Sequence, residues 1–109
     1  MKRYLLGWVR RIAIGLEGFK IWLKVGYPFV LLSLVLLLAV WLMGYGWLEL
    51  IIVFALGMVF IMAEMFNYAI EKLCNIVGGR EIKIVKDISA GAVLVSGIVL
   101  IAVSLYIIL

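Results

Sequence analysis

The stretch ISAGAVLVSGIVLIAVSLYIIL, Ile88 to Leu109, runs for 22 residues without a charge. At about 1.5 Å per residue a helix of this length rises about 33 Å, enough to cross a hydrocarbon core about 30 Å thick. It reads as a membrane span. The chain around it agrees: 69% of its 109 residues are hydrophobic and only 15% are charged, a balance outside the range of soluble globular domains. Lipid is therefore the expected solvent, and one domain is all that this length allows.

Upstream of that span lies a short polar loop rich in Lys and Arg, opened by Gly78-Gly79, a pair that terminates helices. A second apolar run starts at Trp47 and reaches Ala63, and its helical pattern persists to about Val77. The spacing predicts a helix over 47–77 that leaves the membrane while still helical. Gly44-Tyr45-Gly46 predicts a tight turn before it, and residues 25–43 form the first span. Pro28 stands where the chain is expected to turn from the surface into the bilayer.

Residues 1–24 have a different pattern. Arg3, Arg10, Glu17 and Lys24 recur every seven positions, and Leu5, Trp8, Ile12, Leu16, Phe19 and Leu23 recur every three or four. That is an amphipathic helix, suited by its basic face and its Trp residues to lie on an anionic lipid surface. The expected fold is all-α: an integral membrane protein with an N-terminal amphipathic surface helix plus three transmembrane helices, at 25–43, 47–77 and 88–109. Residues 1–109 form a single membrane domain.

Six of the ten Lys and Arg residues precede the first span, four lie at Lys72, Arg80, Lys83 and Lys86, and none lies in the turn at 44–46. By the positive-inside rule the N-terminus and the second loop face the cytoplasm, in a multi-pass protein of the inner (cytoplasmic) membrane. The net charge of +4 flanks apolar segments, so anionic lipid headgroups or a phosphorylated substrate are the expected partners, and nucleic acid is not. The chain contains no His and a single cysteine, Cys74, which excludes a Cys/His zinc site and an intramolecular disulfide. Arg10 and Arg11 interrupt the first apolar run with no small-residue cleavage pattern after it, so no signal peptide is expected.

The polar residues of the second helix are few and aligned. With about 100° of rotation per residue, Glu64, Asn67, Glu71 and Asn75 share one stripe. Glu64 lies about 12 Å along the axis from Lys72, within the cytoplasmic half of the bilayer, where an acid is costly unless paired and is a functional candidate by default. An interhelical hydrogen bond is its alternative reading. At the start of the third span, Asp87 is placed to cap the helix and Lys86 to reach a phosphate, although a Lys-Asp pair there also serves as an ordinary interface anchor. Ser89, Gly91, Ser96 and Gly97 permit close helix packing. Neither a GxxxxGK[ST] loop nor a protein-kinase Gly-rich loop is present.

Taken together, Glu64-Met-Phe-Asn67-Tyr-Ala69-Ile70-Glu71 and Lys86-Asp87-Ile-Ser-Ala90-Gly91-Ala92-Val93-Leu94 resemble the signature pair of the prokaryotic diacylglycerol kinase and undecaprenol kinase family. Glu17-Gly18-Phe19-Lys20 resembles that family's N-terminal segment, so the likeness covers nearly the whole chain. It implies a lipid kinase that uses ATP as co-substrate and Mg²⁺ as cofactor, works as a homotrimer with shared sites, and phosphorylates a membrane lipid alcohol of the diacylglycerol or undecaprenol class. Glu64 would be the general base and Asn67 would position the lipid hydroxyl. Glu71 would hold the metal, Lys86 would contact the ATP phosphates, and Asp87 would order the nucleotide site.

The chain departs from the family at three places. Gly26-Tyr27-Pro28 stands where a second metal-binding carboxylate is usual, Asn75 replaces an acid, and the loop before Lys86 is short and lacks a His-Pro element. Glu17, assigned to the nucleotide site, and Glu81 are the acids available to compensate, and a carboxylate restored at position 26 is the expected remedy. The alternative function is a catalytically inactive trimeric scaffold or lipid-binding relative. A small proton-coupled transporter using Glu64 would leave the surface helix and Lys86-Asp87 without a purpose.

Overall fold

The computed structural model describes residues 2–109. Three helices account for nearly all of them: α1 (Lys2–Leu42), α2 (Trp47–Val77) and α3 (Ile82–Ile108). Each is long and apolar enough to cross a membrane, and no strand occurs among the described residues. Helices suit this composition because hydrocarbon offers no partner to an unpaired backbone N–H or C=O, and a helix satisfies both internally. The chain is an all-helical membrane protein.

The amphipathic segment and the first span form one helix, not two. α1 has 41 residues, about 60 Å at about 1.5 Å each, roughly twice the hydrocarbon thickness, so only part of it can be immersed. The break expected at Pro28 is absent. Proline removes one N–H and crowds the carbonyl four residues back, here that of Lys24, and the helical bonds resume on either side. A bend takes the place of the break. Phe19 lines the same cavity as Ser33, Leu37, Gly57 and Ile61, whereas a straight helix would hold Phe19 and Leu37 about 27 Å apart. Pro28 supplies the cause, and Gly26 supplies room: Trp22, only 3% exposed, lays its indole against Gly26 where any Cβ would stand.

Glycines also set the helix spacings. A Cβ at Gly57 would stand 3.3 Å from Ser33 Cβ of α1, and one at Gly97 would stand 2.9 Å from Phe60 Cε1. Phe60 thus reaches α3, and with Val40, Val53 and Leu100 it forms the core shared by all three helices. Phe29 of α1 meets it edge-on, with ring centroids 5.5 Å apart, a favourable aromatic geometry. Outward-facing side chains such as Leu34, Val35, Phe54 and Ile98 are exposed, as lipid contact requires.

Both connections are short. Gly44 takes φ 80° in the first, and Tyr45 Oη donates to the Ile108 carbonyl at 3.1 Å, tying this turn to the end of α3. α2 stops at Gly78 (φ 69°), whose N–H donates to the Cys74 carbonyl at 3.0 Å, and Gly79 (φ 121°) follows. Left-handed φ values fall to glycine because it lacks a Cβ.

α3 starts at Ile82, ahead of the charge-free run that begins at Ile88. Lys83, Lys86 and Asp87 therefore lie on its first turns and not in a loop. Asp87 does not cap the helix; Glu81 occupies the cap position, without a side-chain hydrogen bond. Asp87 pairs with Lys83 one turn back, Nζ to Oδ2 2.9 Å, the (i, i+4) spacing that brings helical side chains together.

Because Phe60 fills the space above Gly97, the Gly97→Val variant is expected to lower the free energy of unfolding in detergent by about 1–3 kcal/mol, the usual cost of overpacking. Phe60→Leu in that background should recover part of the loss. Denaturant titration followed by circular dichroism measures both, and an unchanged midpoint for Gly97→Val would contradict this packing.

Candidate functional site

The polar stripe of α2 changes surroundings along its length. Glu64 and Asn67 are half-buried, whereas Glu71 and Asn75 are exposed. Their common azimuth follows from spacings of three and four residues on one helix. Glu64 stands three residues before Asn67 on the same face of α2, the (i, i+3) spacing that makes helical side chains neighbours. An ionised carboxylate only accepts, so of the two ends of the Asn67 amide it is the nitrogen that can serve Glu64.

α3 meets this stripe at two points. Ser89 Oγ donates to Asn67 Oδ1 at 2.8 Å, and Lys86 Nζ donates to Asn75 Oδ1 at 2.8 Å. The spacing of Lys86 and Ser89 puts them on one face of α3, as the spacing of Asn67 and Asn75 does on α2. The two motifs, separate in sequence, thus form one polar seam. Sequence reasoning treated Ser89 as a packing residue and Asn75 as a departure. Equal faces were the available signal, but not which face meets which.

Lys86 is half-buried and held by a neutral acceptor, so its positive charge is not cancelled by that partner. Asp87, in contrast, is exposed and ion-paired to an exposed Lys83, a kind of pair that contributes little to stability. Glu17 is exposed on α1, with Lys20 and Lys24 lining the same shallow depression. Among the described residues it makes no hydrogen bond or ion pair to the seam. Glu81 lies at the α2–α3 connection beside Gly79 and Arg80.

No three His, Cys, Asp or Glu side chains gather for a metal among the described residues. Glu71, an exposed carboxylate at the watery end of the stripe, fits the commoner arrangement for magnesium, in which one or two carboxylates share the ion with substrate phosphates and waters. Position 26 does not fit. The Trp22 indole occupies the space a side chain would need, so the expected remedy of a carboxylate at Gly26 requires the tryptophan to move.

A family model described as prokaryotic diacylglycerol kinase matches residues 19–108. No curated protein and no solved structure matches the chain. The matched region holds the bend of α1, the whole of α2 with its polar stripe, and α3 to Ile108. Because one match spans the helix bundle and both halves of the polar seam, the chain belongs to the prokaryotic diacylglycerol kinase family, a family of lipid kinases.

Proposed function

We propose that the chain transfers the γ-phosphoryl group of ATP to the hydroxyl of a membrane lipid, of the diacylglycerol or undecaprenol class, at the cytoplasmic face of the inner membrane. The observation that carries this reading is the seam: Asn67–Ser89 and Asn75–Lys86 join a half-buried carboxylate, an exposed carboxylate and an uncancelled lysine in one place. A lipid kinase needs these groups in that order, from lipid toward water.

In the proposed reaction Glu64 accepts the hydroxyl proton as the lipid oxygen bonds to the γ-phosphorus. The bond from the γ-phosphorus to the β–γ bridging oxygen breaks, and ADP leaves with that electron pair. Asn67 orients the carboxylate and the hydroxyl. Lys86 binds the phosphates as a point charge, and Asp87 orders its turn by holding Lys83. Glu71 would hold Mg²⁺, which when bound supplies positive charge on the phosphate oxygens. Phosphoryl transfer depends chiefly on positioning and charge, with a base aimed at the nucleophile. Glu17 would approach the nucleotide only from another subunit, in the homotrimer that the family resemblance implies, and the basic face of α1 would rest on anionic lipid headgroups.

The Trp22–Gly26 contact favours a second reading. A position 26 covered by the Trp22 indole and carrying no carboxylate suits a lipid-binding scaffold that does not turn over.

If Glu64 is the base, Glu64→Gln keeps its size and hydrogen bonding but removes the proton acceptor. Turnover should fall by about 10² or more, with ATP still bound. Transfer of labelled phosphate to a lipid panel in detergent tests this, and wild type that labels no lipid, or an unchanged rate for the variant, supports the scaffold. Gly26→Glu should lower the unfolding midpoint without lowering the magnesium needed for half-maximal rate, because a carboxylate would have to displace Trp22. A stable variant with a reduced magnesium requirement would show that position 26 is open. For topology, a cysteine added after Leu109 should react with an impermeant thiol reagent only from outside the cell. Reaction from the cytoplasmic side alone would invert the assignment.

A further inference from the structure

Ser89 is 8% exposed, and its hydroxyl crosses from α3 to Asn67 Oδ1 of α2 at 2.8 Å. A carboxamide has one acceptor oxygen and one donor nitrogen, on opposite sides of the same planar group. Ser89 occupies the oxygen, so the NH₂ group is turned the other way. One turn back along α2 on that face stands Glu64. Without the serine, the amide can rotate by half a turn and present its oxygen to the carboxylate, a repulsive contact, or spend its NH₂ elsewhere.

We propose that Ser89 is a positioning residue: by holding Asn67 Oδ1 it fixes which end of the amide faces Glu64, and so aims the base at the lipid hydroxyl. The sequence Ser89 Oγ–H to Asn67 Oδ1, then Asn67 Nδ2–H to Glu64 carboxylate, sets the direction of every donor. Glu64 has no cationic partner among the described residues, so an amide donor aimed at it matters at this depth, where water competes poorly for hydrogen bonds. The effect on catalysis rests on the kinase reading above; the direction of the amide does not.

Two measurements separate them. In the first, the Asn67 side-chain amide is followed by ¹⁵N NMR in detergent micelles, assigned through its loss in Asn67→Asp. Its NH₂ resonances should shift in both Ser89→Ala and Glu64→Gln, since each removes one end of the relay, and remain near the wild-type position in Ser89→Thr, which keeps the hydroxyl. Resonances that ignore Ser89→Ala overturn the proposal whether or not the protein is a kinase.

The second measurement is steady-state lipid phosphorylation. Ser89→Ala should lower kcat by about fivefold to tenfold, the net worth of one aligned hydrogen bond, with the KM for ATP unchanged. Ser89→Thr should recover most of the rate. In an Asn67→Asp background, which keeps the acceptor but cannot donate to Glu64, the same Ser89→Ala change should cost less than twofold, because the relay is already cut. An equal loss in both backgrounds, or a loss that tracks the unfolding midpoint with no rescue by Thr, would make Ser89 an ordinary packing residue. If wild type transfers no phosphate while the amide resonances respond as expected, the kinase reading fails and the relay stands.

Discussion

Phe60 resting on Gly97 fixes how closely α3 approaches α2, and the polar contacts follow from that distance. The helices run antiparallel, so each residue advanced along one is matched by a residue retreated along the other. Seven residues past Phe60 is Asn67, and eight residues before Gly97 is Ser89, and these two meet. Further on, Asn75 meets Lys86. Hydrogen bonds of 2.8 Å tolerate little slack. A side chain at Gly97 would therefore do more than disturb a ring: by pushing α3 outward it would pull both amides off their donors. In lipid the apolar surface of a helix has no preference for another helix over acyl chains, so small residues that allow close approach carry much of the packing.

The sequence made the membrane architecture legible because its signals are one-dimensional. A run of 22 residues without a charge needs no knowledge of its neighbours to be recognised, and neither do Gly44 and Gly78 at the helix ends. The polar stripe was equally visible, since Glu64, Asn67, Glu71 and Asn75 align by spacing alone. Three features were hidden for one common reason, that they depend on what stands opposite. Pro28 signalled a break, but a proline removes only one hydrogen bond from a helix of 41 residues, and it bends the helix without ending it. Gly26 looked like a lost carboxylate until the Trp22 ring was found against it. Asp87 looked like a cap, yet α3 begins five residues earlier and gives it Lys83 as a partner.

The amide at position 75 carries a charge argument. A carboxylate there would hold Lys86 in an ion pair and cancel it, and a phosphate would have to compete with that pair. Asn75 Oδ1 orients the ammonium group through one hydrogen bond and leaves its charge intact. The lysine is half-buried, so its field is less screened than that of the exposed Lys83. An amide at this position therefore leaves a higher local positive potential than an acid would. Position 26 makes no comparable contribution, because the Trp22 indole that covers Gly26 carries no charge.

Along the seam, hydration increases in one direction only. Glu64 and Asn67 are half-buried, while Glu71 and Asn75, one to three turns further on, are exposed. The two carboxylates, one half-buried and one exposed, are thereby separated by about 10 Å along one helix axis, using about 1.5 Å per residue. The bend of α1 belongs to the same economy of structure. It brings Phe19 back against Gly57 and Ile61 of α2, so the amphipathic segment is packed on the bundle and does not extend it.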